Sequence, residues 1–467
     1  MPLKDSTGII VIIALFLCVH SLFLNFYSEV WWDSSVYIGM GKYIFSFGNS
    51  GLWEESRPLV FPLLLGTGQI LNLNVIYFGR FISIIFAVLV ILITYRIGLK
   101  IFSKKVALLS SFFLAFSYNF IFFSPNILTE IPSTFFVLLA FYSFLNERYP
   151  IMGLFVGIAI MTRFFQIFAL LGLGLVLFIY MYRKQNFIKK ILHLIVIASI
   201  PILPYMLLNH YLYDDIFLPL KVQAHLNKTT GWTHYEEFWF YFSGLLKENF
   251  FIVFLFSLPL FFKKNYKFSA LVFIPLIYII IFSFIKHKEM RFMLVILPFL
   301  YLLTSYCLEQ IYSKIYYKKF ALGLFFVIGV VWLSITFTAF KNIISYKYQR
   351  ADEGLLYFQN YLKDDNGIIW VTNPLYALYS NSKIDGLLYY YSSENLIKFI
   401  NENKDKPDTI LFNNCDVACP PSELDPLCLE SREILNRLLH KFNKVYQKEI
   451  NQCEYGIYRR PVLASQK

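Results

Sequence analysis

The chain has 467 residues, 57% of them hydrophobic and 20% aromatic but only 15% charged, with a mean hydropathy of +0.56. A soluble domain carries about a quarter charged residues, so the composition excludes a soluble globular enzyme and indicates a multi-span membrane protein. The net charge of +12 would suit a nucleic-acid partner, but the Lys and Arg lie in short clusters between apolar runs, as in cytoplasmic loops.

Residues 8–26 form an apolar run of bilayer length, preceded by Lys4 and followed by no small-residue cleavage site; they are expected to anchor the chain. Residues 27–74 mix Trp31, Trp32, Tyr37, Tyr43 and Trp53 with Gly, Ser and charges, the pattern of a first loop with interfacial helices. Ten further apolar runs follow, at roughly 76–98, 107–123, 131–145, 151–165, 166–182, 191–208, 249–262, 268–285, 292–309 and 320–340. Basic clusters at 96–105, 183–190, 263–267 and 314–319 mark the cytoplasmic loops. This gives about eleven crossings of a plasma membrane, an inside N-terminus, and an extracytoplasmic region from 341 to 467.

The same parity brings Asp33, Arg57, Glu130, Arg163 and the stretch Lys286–Arg291 to one face, the outer one. A basic cluster there is not required for topology, which assigns the 286–291 cations another task. Beyond Phe340 the composition becomes that of a small α/β domain. Helices are expected at 352–363, 394–403 and 430–442, strands at 368–372, 387–391 and 409–412, and a hairpin at 445–459.

Asp33 with Tyr37 four residues on, Gly48, Arg57-Pro58-Leu59 before Pro62-Leu63-Leu64, Thr129-Glu130, and Lys288 to Arg291 ahead of Pro298 form an ordered set. In order and spacing, residues 8–340 resemble the GT-C glycosyltransferases, and within them the protein mannosyltransferase and aminoarabinose transferase branch. The resemblance implies a helical membrane domain over 1–340, a soluble α/β domain over 341–467, and inverting transfer of a sugar from a polyprenyl-phosphate donor on the extracytoplasmic side. The acceptor would be a protein, lipid or glycan, the surroundings membrane lipid, and nucleic acid no partner. It makes Asp33 the catalytic base. The branch usually has Asp-Glu in the first loop; here Ser34 stands in the place of the Glu.

An inverting transfer needs a base within reach of the acceptor hydroxyl, and cations for the leaving phosphate. Arg57 and Arg291 are the candidates for bidentate phosphate binding, with Lys288 as a point charge and Glu130 as the second catalytic carboxylate. Tyr37, Arg163 and His287 are candidate structural or substrate contacts. Competing readings make Asp33 or Glu130 a helix cap, Arg57 a headgroup contact and Arg163 a carboxylate partner between helices. The histidines of 209–248 and His287 match no compact ligand spacing, so no metal site is expected and no cofactor required, a divalent cation remaining the alternative. Asn227-Lys228-Thr229 is a glycosylation sequon.

Cys415, Cys419, Cys428 and Cys453 are even in number and confined to the outer domain. Two disulfides are the favoured arrangement, in any of three connectivities, and a four-thiolate zinc site is the competing one. The rival to an enzyme is a polytopic transporter or lipid-handling protein. Transporters show internal repeats and mid-span charges, whereas here no repeat is visible and the charges lie at span ends.

Overall fold

The computed structural model describes residues 7–23, 30–182, 186–229, 234–263, 265–317, 319, 323, 326–327, 329–334, 336–338, 341, 367–389, 391–450 and 452–461. The helix expected at 352–363 lies outside these residues, and the run expected at 320–340 lies partly outside them.

Two short helices lie between α1 (Thr7–Phe23) and the long α4 (Val75–Ile101). These are α2 (Trp32–Phe45) and α3 (Val60–Ile70). Asn74 caps α4 by accepting from the amides of Ile76 and Tyr77, which satisfies donors that have no intrahelical partner. The run expected at 107–123 is not one helix. It breaks at Ser117, whose extended backbone separates α5 (Lys104–Phe116) from the six-residue α6 (Tyr118–Phe123).

Helices α7 (Glu130–Leu145), α8 (Tyr149–Thr162), α9 (Gln166–Met181) and α10 (Phe187–Tyr213) follow the expected order. Pro132 is tolerated in the first turn of α7, where its missing N–H costs no helical bond. Gly153 and Gly157 let α8 lie directly on α10, since a Cβ at either would strike the carbonyls of Leu194 and Ala198. That small-residue contact is how membrane helices gain packing without a hydrophobic drive.

Then come α11 (Leu218–Thr229), α12 (Phe240–Glu248), a tight helical run at Phe250–Phe261, α13 (Tyr266–Phe284) and α14 (Leu297–Lys314). The straight span expected at 249–262 is instead the second arm of a pair bent by 108° against α12. Among the described residues, α4, α10 and α13 are individually long and apolar enough to cross a membrane, and the bent pair makes up to 4; α1, α3, α7, α8 and α9 are shorter apolar helices. A phenylalanine-rich core fills the space between α1, α4, α5, α7 and α14, with Phe16, Phe120, Phe141, Phe144 and Phe299 fully enclosed.

The C-terminal region is a 5-stranded sheet in the order β2-β1-β3-β5-β4, with β1 Ile369–Val371, β2 Ile384–Leu387, β3 Thr409–Asn413, β4 Asn443–Ile450 and β5 Cys453–Arg459. The first three strands are parallel, and β5 runs antiparallel to both neighbours. The second strand thus lies slightly earlier than expected. Because side chains alternate across a strand, Trp370 and Ile410 face the helices Ser393–Asn403 and Cys428–Leu439. Ile369, Val371 and Leu411 face the other way, into a core shared with Val36, Tyr37, Met40, Phe61 and Leu65 of α2 and α3.

The sheet domain is therefore seated on the first loop. The ammonium of Lys42, almost fully enclosed, donates to the carbonyls of Ala377, Leu378 and Ser380 at 3.0, 3.1 and 3.3 Å. Gly51 adds a two-bond bridge, its amide donating to Ser382 and its carbonyl accepting from Ile384.

Candidate active site

Stretches far apart in sequence meet at a cavity of ≈ 500 Å³ between the helical bundle and the sheet domain. The start of α2 brings Trp31, Trp32, Asp33 and Tyr37; the loop before α3 brings Glu54 and Arg57; and the turn between α8 and α9 brings Arg163 with Phe164 and Phe165. The loop after α13 contributes His287, Glu289 and Arg291, and the sheet domain contributes Tyr389 and Asp416. Backbone contacts hold these loops in place. The Tyr205 hydroxyl of α10 lies 3.2 and 3.1 Å from the carbonyls of Glu55 and Arg57. Residues 234–236 pair with 286–288 through Lys288 N to His234 O and Glu236 N to Lys286 O.

Asp33 is gripped on both oxygens: Arg57 donates to one at 2.8 Å and Arg291 to the other at 2.7 Å. Burial alone would push its carboxyl up, but the two guanidiniums outweigh burial and hold it well below the usual carboxylate range. Arg57 also donates to Glu54 at 2.8 Å, and Glu54 accepts from Ser56 and from the Tyr389 hydroxyl. Arg291 also donates to Glu289 at 2.7 Å, and His287 sits 3.0 Å from the same oxygen. Burial opposes the charge on Glu289, yet Arg291 and His287 bring it down to about 2.

Glu130 is 3% exposed, 3.0 Å from Arg163 and 3.5 Å from the Arg291 Nε, yet neither of its oxygens receives a well-directed hydrogen bond. Arg163 directs its bond instead to the Thr129 hydroxyl, at 3.1 Å. Three guanidiniums thus face four carboxylates, Asp33, Glu54, Glu130 and Glu289, in one continuous network.

The structure brings Asp33, Tyr37, Arg57, Arg163, His287 and Arg291 to the cavity wall, with Glu130 behind it. Lys288 is not brought there: its ammonium is buried and donates to the Glu236 carbonyl at 2.6 Å, so its role is to tie the two loops together. The capping reading of Asp33 gives way to the ion pairs, since Trp31 holds the cap position of α2 and no side chain caps it. Ser34 is buried and does not line the cavity.

Glu54, Glu289, Tyr389 and Asp416 were not among the expected site residues. The first two could have been found as the acids three and two positions before the chosen arginines; the last two carry no sequence signal, because only the docking of the sheet domain places them. Cys415 pairs with Cys453 and Cys419 with Cys428, one of the three connectivities. Among the described residues, no group of three His, Cys, Asp or Glu side chains is placed to hold a metal ion.

The model of the Alg9-like mannosyltransferase family matches residues 9–359. No curated protein matches the chain. Among solved structures, ArnT from Cupriavidus metallidurans bound to undecaprenyl phosphate is similar at a TM-score of 0.67 and 10% identity, over 99% of this chain and 100% of that one. The archaeal oligosaccharyltransferase AglB from Archaeoglobus fulgidus, in complex with an inhibitory peptide and a dolichol-phosphate, is similar at 0.62 and 12% identity, over 98% of this chain and 75% of that one. At these identities the likeness is one of fold.

Proposed function

The chain belongs to the Alg9-like mannosyltransferase family, and on that premise we propose that it transfers a sugar from a polyprenyl-phosphate donor to an acceptor hydroxyl at the cavity beside Asp33. The observation that carries the reading is the double grip on Asp33. Two guanidiniums that suit a phosphate meet a carboxylate that suits a base, on one wall of one cavity.

A guanidinium fork cannot serve the carboxylate and a phosphate fully at once. The donor phosphate draws Arg57 and Arg291 toward itself, and Asp33, released, accepts the acceptor proton. The acceptor oxygen forms its bond to the anomeric carbon as the bond from that carbon to the phosphate oxygen breaks. The electron pair leaves with the polyprenyl phosphate, whose charge the two arginines meet, and the anomeric carbon inverts. Glu54 and Glu289 stay with Arg57 and Arg291 and set their orientation. The polyprenyl chain lies against α8 and α9, where Val156, Ile160, Ile167, Leu171, Leu175 and Phe178 line an open apolar groove. That groove begins two residues from Phe165 of the cavity wall. In this reading the bundle crosses the membrane eleven times, with the N-terminus cytoplasmic and the cavity and sheet domain outside.

The test is transfer by purified protein in lipid nanodiscs, with polyprenyl-phosphate mannose as donor and the anomeric configuration of the product read by NMR. Transfer with inversion is expected. Transfer with retention, or release of sugar from a nucleotide donor alone, would overturn the scheme.

A further inference from the structure

The strand pairing that seats the sheet domain also delivers one of its side chains to the arginine network. Gly51 and Lys383 form a parallel bridge, the Gly51 amide donating to the Ser382 carbonyl at 3.2 Å and the Ile384 amide to the Gly51 carbonyl at 2.8 Å. Being parallel, the two chains leave that bridge in the same direction, one toward Glu54 and the other along β2. Side chains alternate across a strand, and the alternation carries past the end of β2. Leu388 joins the core against the sheet-domain helices, while Leu387 and Tyr389 join the core shared with α2 and α3. The Leu388 amide donates to the Val371 carbonyl at 2.9 Å, which fixes the backbone just before Tyr389. The Tyr389 hydroxyl thus arrives 3.3 Å from the Glu54 Oε2.

Glu54 is an enclosed carboxylate, 2% exposed. A charge so buried is kept only by its partners. Its Oε1 accepts from the Arg57 Nε and from the Ser56 hydroxyl, each at 2.8 Å. Tyr389 is the partner of Oε2. Held at both oxygens, the carboxylate cannot turn about its last bond, and the Arg57 Nε is fixed with it. The guanidinium then presents Nη2 to Asp33 at 2.8 Å and Nη1 toward Tyr37 at 3.4 Å, on the cavity wall. The Tyr389 ring is braced in turn: it stands edge-on to Trp32, the neighbour of Asp33, with centroids 4.8 Å apart.

From this chain of contacts we infer that Tyr389 is a positioning residue for the donor: through Glu54 it sets the guanidinium of Arg57 that meets the donor phosphate. The inference rests on the proposed transfer reaction and adds that the sheet domain completes the phosphate site. Without the hydroxyl, Oε2 loses its donor and the carboxylate turns with the guanidinium it holds. A small misplacement of a phosphate-binding group is enough to weaken binding.

The test uses the full-length protein in nanodiscs with polyprenyl-phosphate mannose. Tyr389→Phe removes the hydroxyl and keeps the ring on Trp32. KM for the donor is expected to rise at least fivefold, with KM for the acceptor within twofold of the wild type and the thermal midpoint little changed. Because Tyr389 also lines the cavity, a double-mutant cycle separates action through Glu54 from contact with substrate. Glu54→Leu removes both oxygens while Arg57 keeps Asp33, and in that background Tyr389→Phe should change the donor KM by less than twofold; if Glu54→Leu does not fold, Glu54→Gln takes its place. A donor KM within twofold of the wild type in Tyr389→Phe would overturn the inference while leaving the transfer reaction in place. So would the full effect retained in the Glu54 variant, which would put the hydroxyl on the substrate itself, and so would equal rises in both KM values with a large fall in thermal midpoint. No transfer from the polyprenyl donor by the wild type would remove the proposed reaction, and the inference with it.

Discussion

Replacing Asp33 by Asn separates catalysis from folding, because the structure predicts opposite outcomes for the two. The substitution keeps the shape but removes the charge and the proton acceptor. Each neighbouring cation keeps an anion: Arg57 retains Glu54, and Arg291 retains Glu289 and Glu130. With four carboxylates facing three guanidiniums, loss of one acid leaves three against three, so no guanidinium is stranded in the buried network. The usual cost of about 3–5 kcal/mol for breaking a buried pair is therefore not expected in full. Loss of a general base costs about 10²–10⁴ in rate, or about 3–5 kcal/mol of barrier. Single-turnover transfer from the polyprenyl donor should fall by at least a hundredfold while the thermal midpoint moves by a few degrees. Turnover within threefold of the wild type would refute the base assignment, and unfolding of the variant would refute the charge argument.

Three further outcomes follow from the structure. Arg57→Ala and Arg291→Ala should raise KM for the donor more than for the acceptor, and of the two Arg291→Ala should lower the thermal midpoint further, since it releases Asp33, Glu130 and Glu289 together; equal effects on both substrates would remove the phosphate role. Lys42→Met keeps the bulk but leaves three carbonyls without their donor, which should cost about 2–4 kcal/mol and expose the sheet domain to protease; unchanged proteolysis would show that the shared core alone holds it. The acid limb of kcat against pH should lie higher than that of kcat/KM for the donor, because Asp33 is held low in the free enzyme by arginines that the donor takes away; coincident limbs would refute that release.

The order of the membrane helices was legible in hydropathy, and so was the grouping of the site. Basic loops fixed the parity, and parity alone brought Asp33, Arg57, Glu130, Arg163 and Arg291 to one face, where the structure finds them in contact. What hydropathy could not show was continuity of backbone. A window average treats 107–123 as one span, although Ser117 takes an extended conformation that ends a helix, and it reads 249–262 as straight although Asn249 breaks the helix and caps the next run. Lys288 misled for a related reason. Charge and position suited a phosphate, but the pairing of 234–236 with 286–288 is a long-range backbone event, and it turns that side chain toward Glu236.

The docked sheet domain gives the cavity two walls of different character, which suits the two substrates of the proposed reaction. On the proposed reaction the donor approaches from the helices, where α8 and α9 present apolar surface up to Phe165, and the wall that would meet it carries three guanidiniums. The opposite wall comes from the sheet domain and carries Tyr389 and Asp416, a hydroxyl and a carboxylate. The two walls are joined by one short chain of contacts: Tyr389 donates to Glu54, Glu54 accepts from Arg57, and Arg57 donates to Asp33. Displacement of Tyr389 would therefore be felt at the base through two charge-assisted bonds. Arg57 stands at the centre of that chain, bonded to Glu54 on one side and to Asp33 on the other.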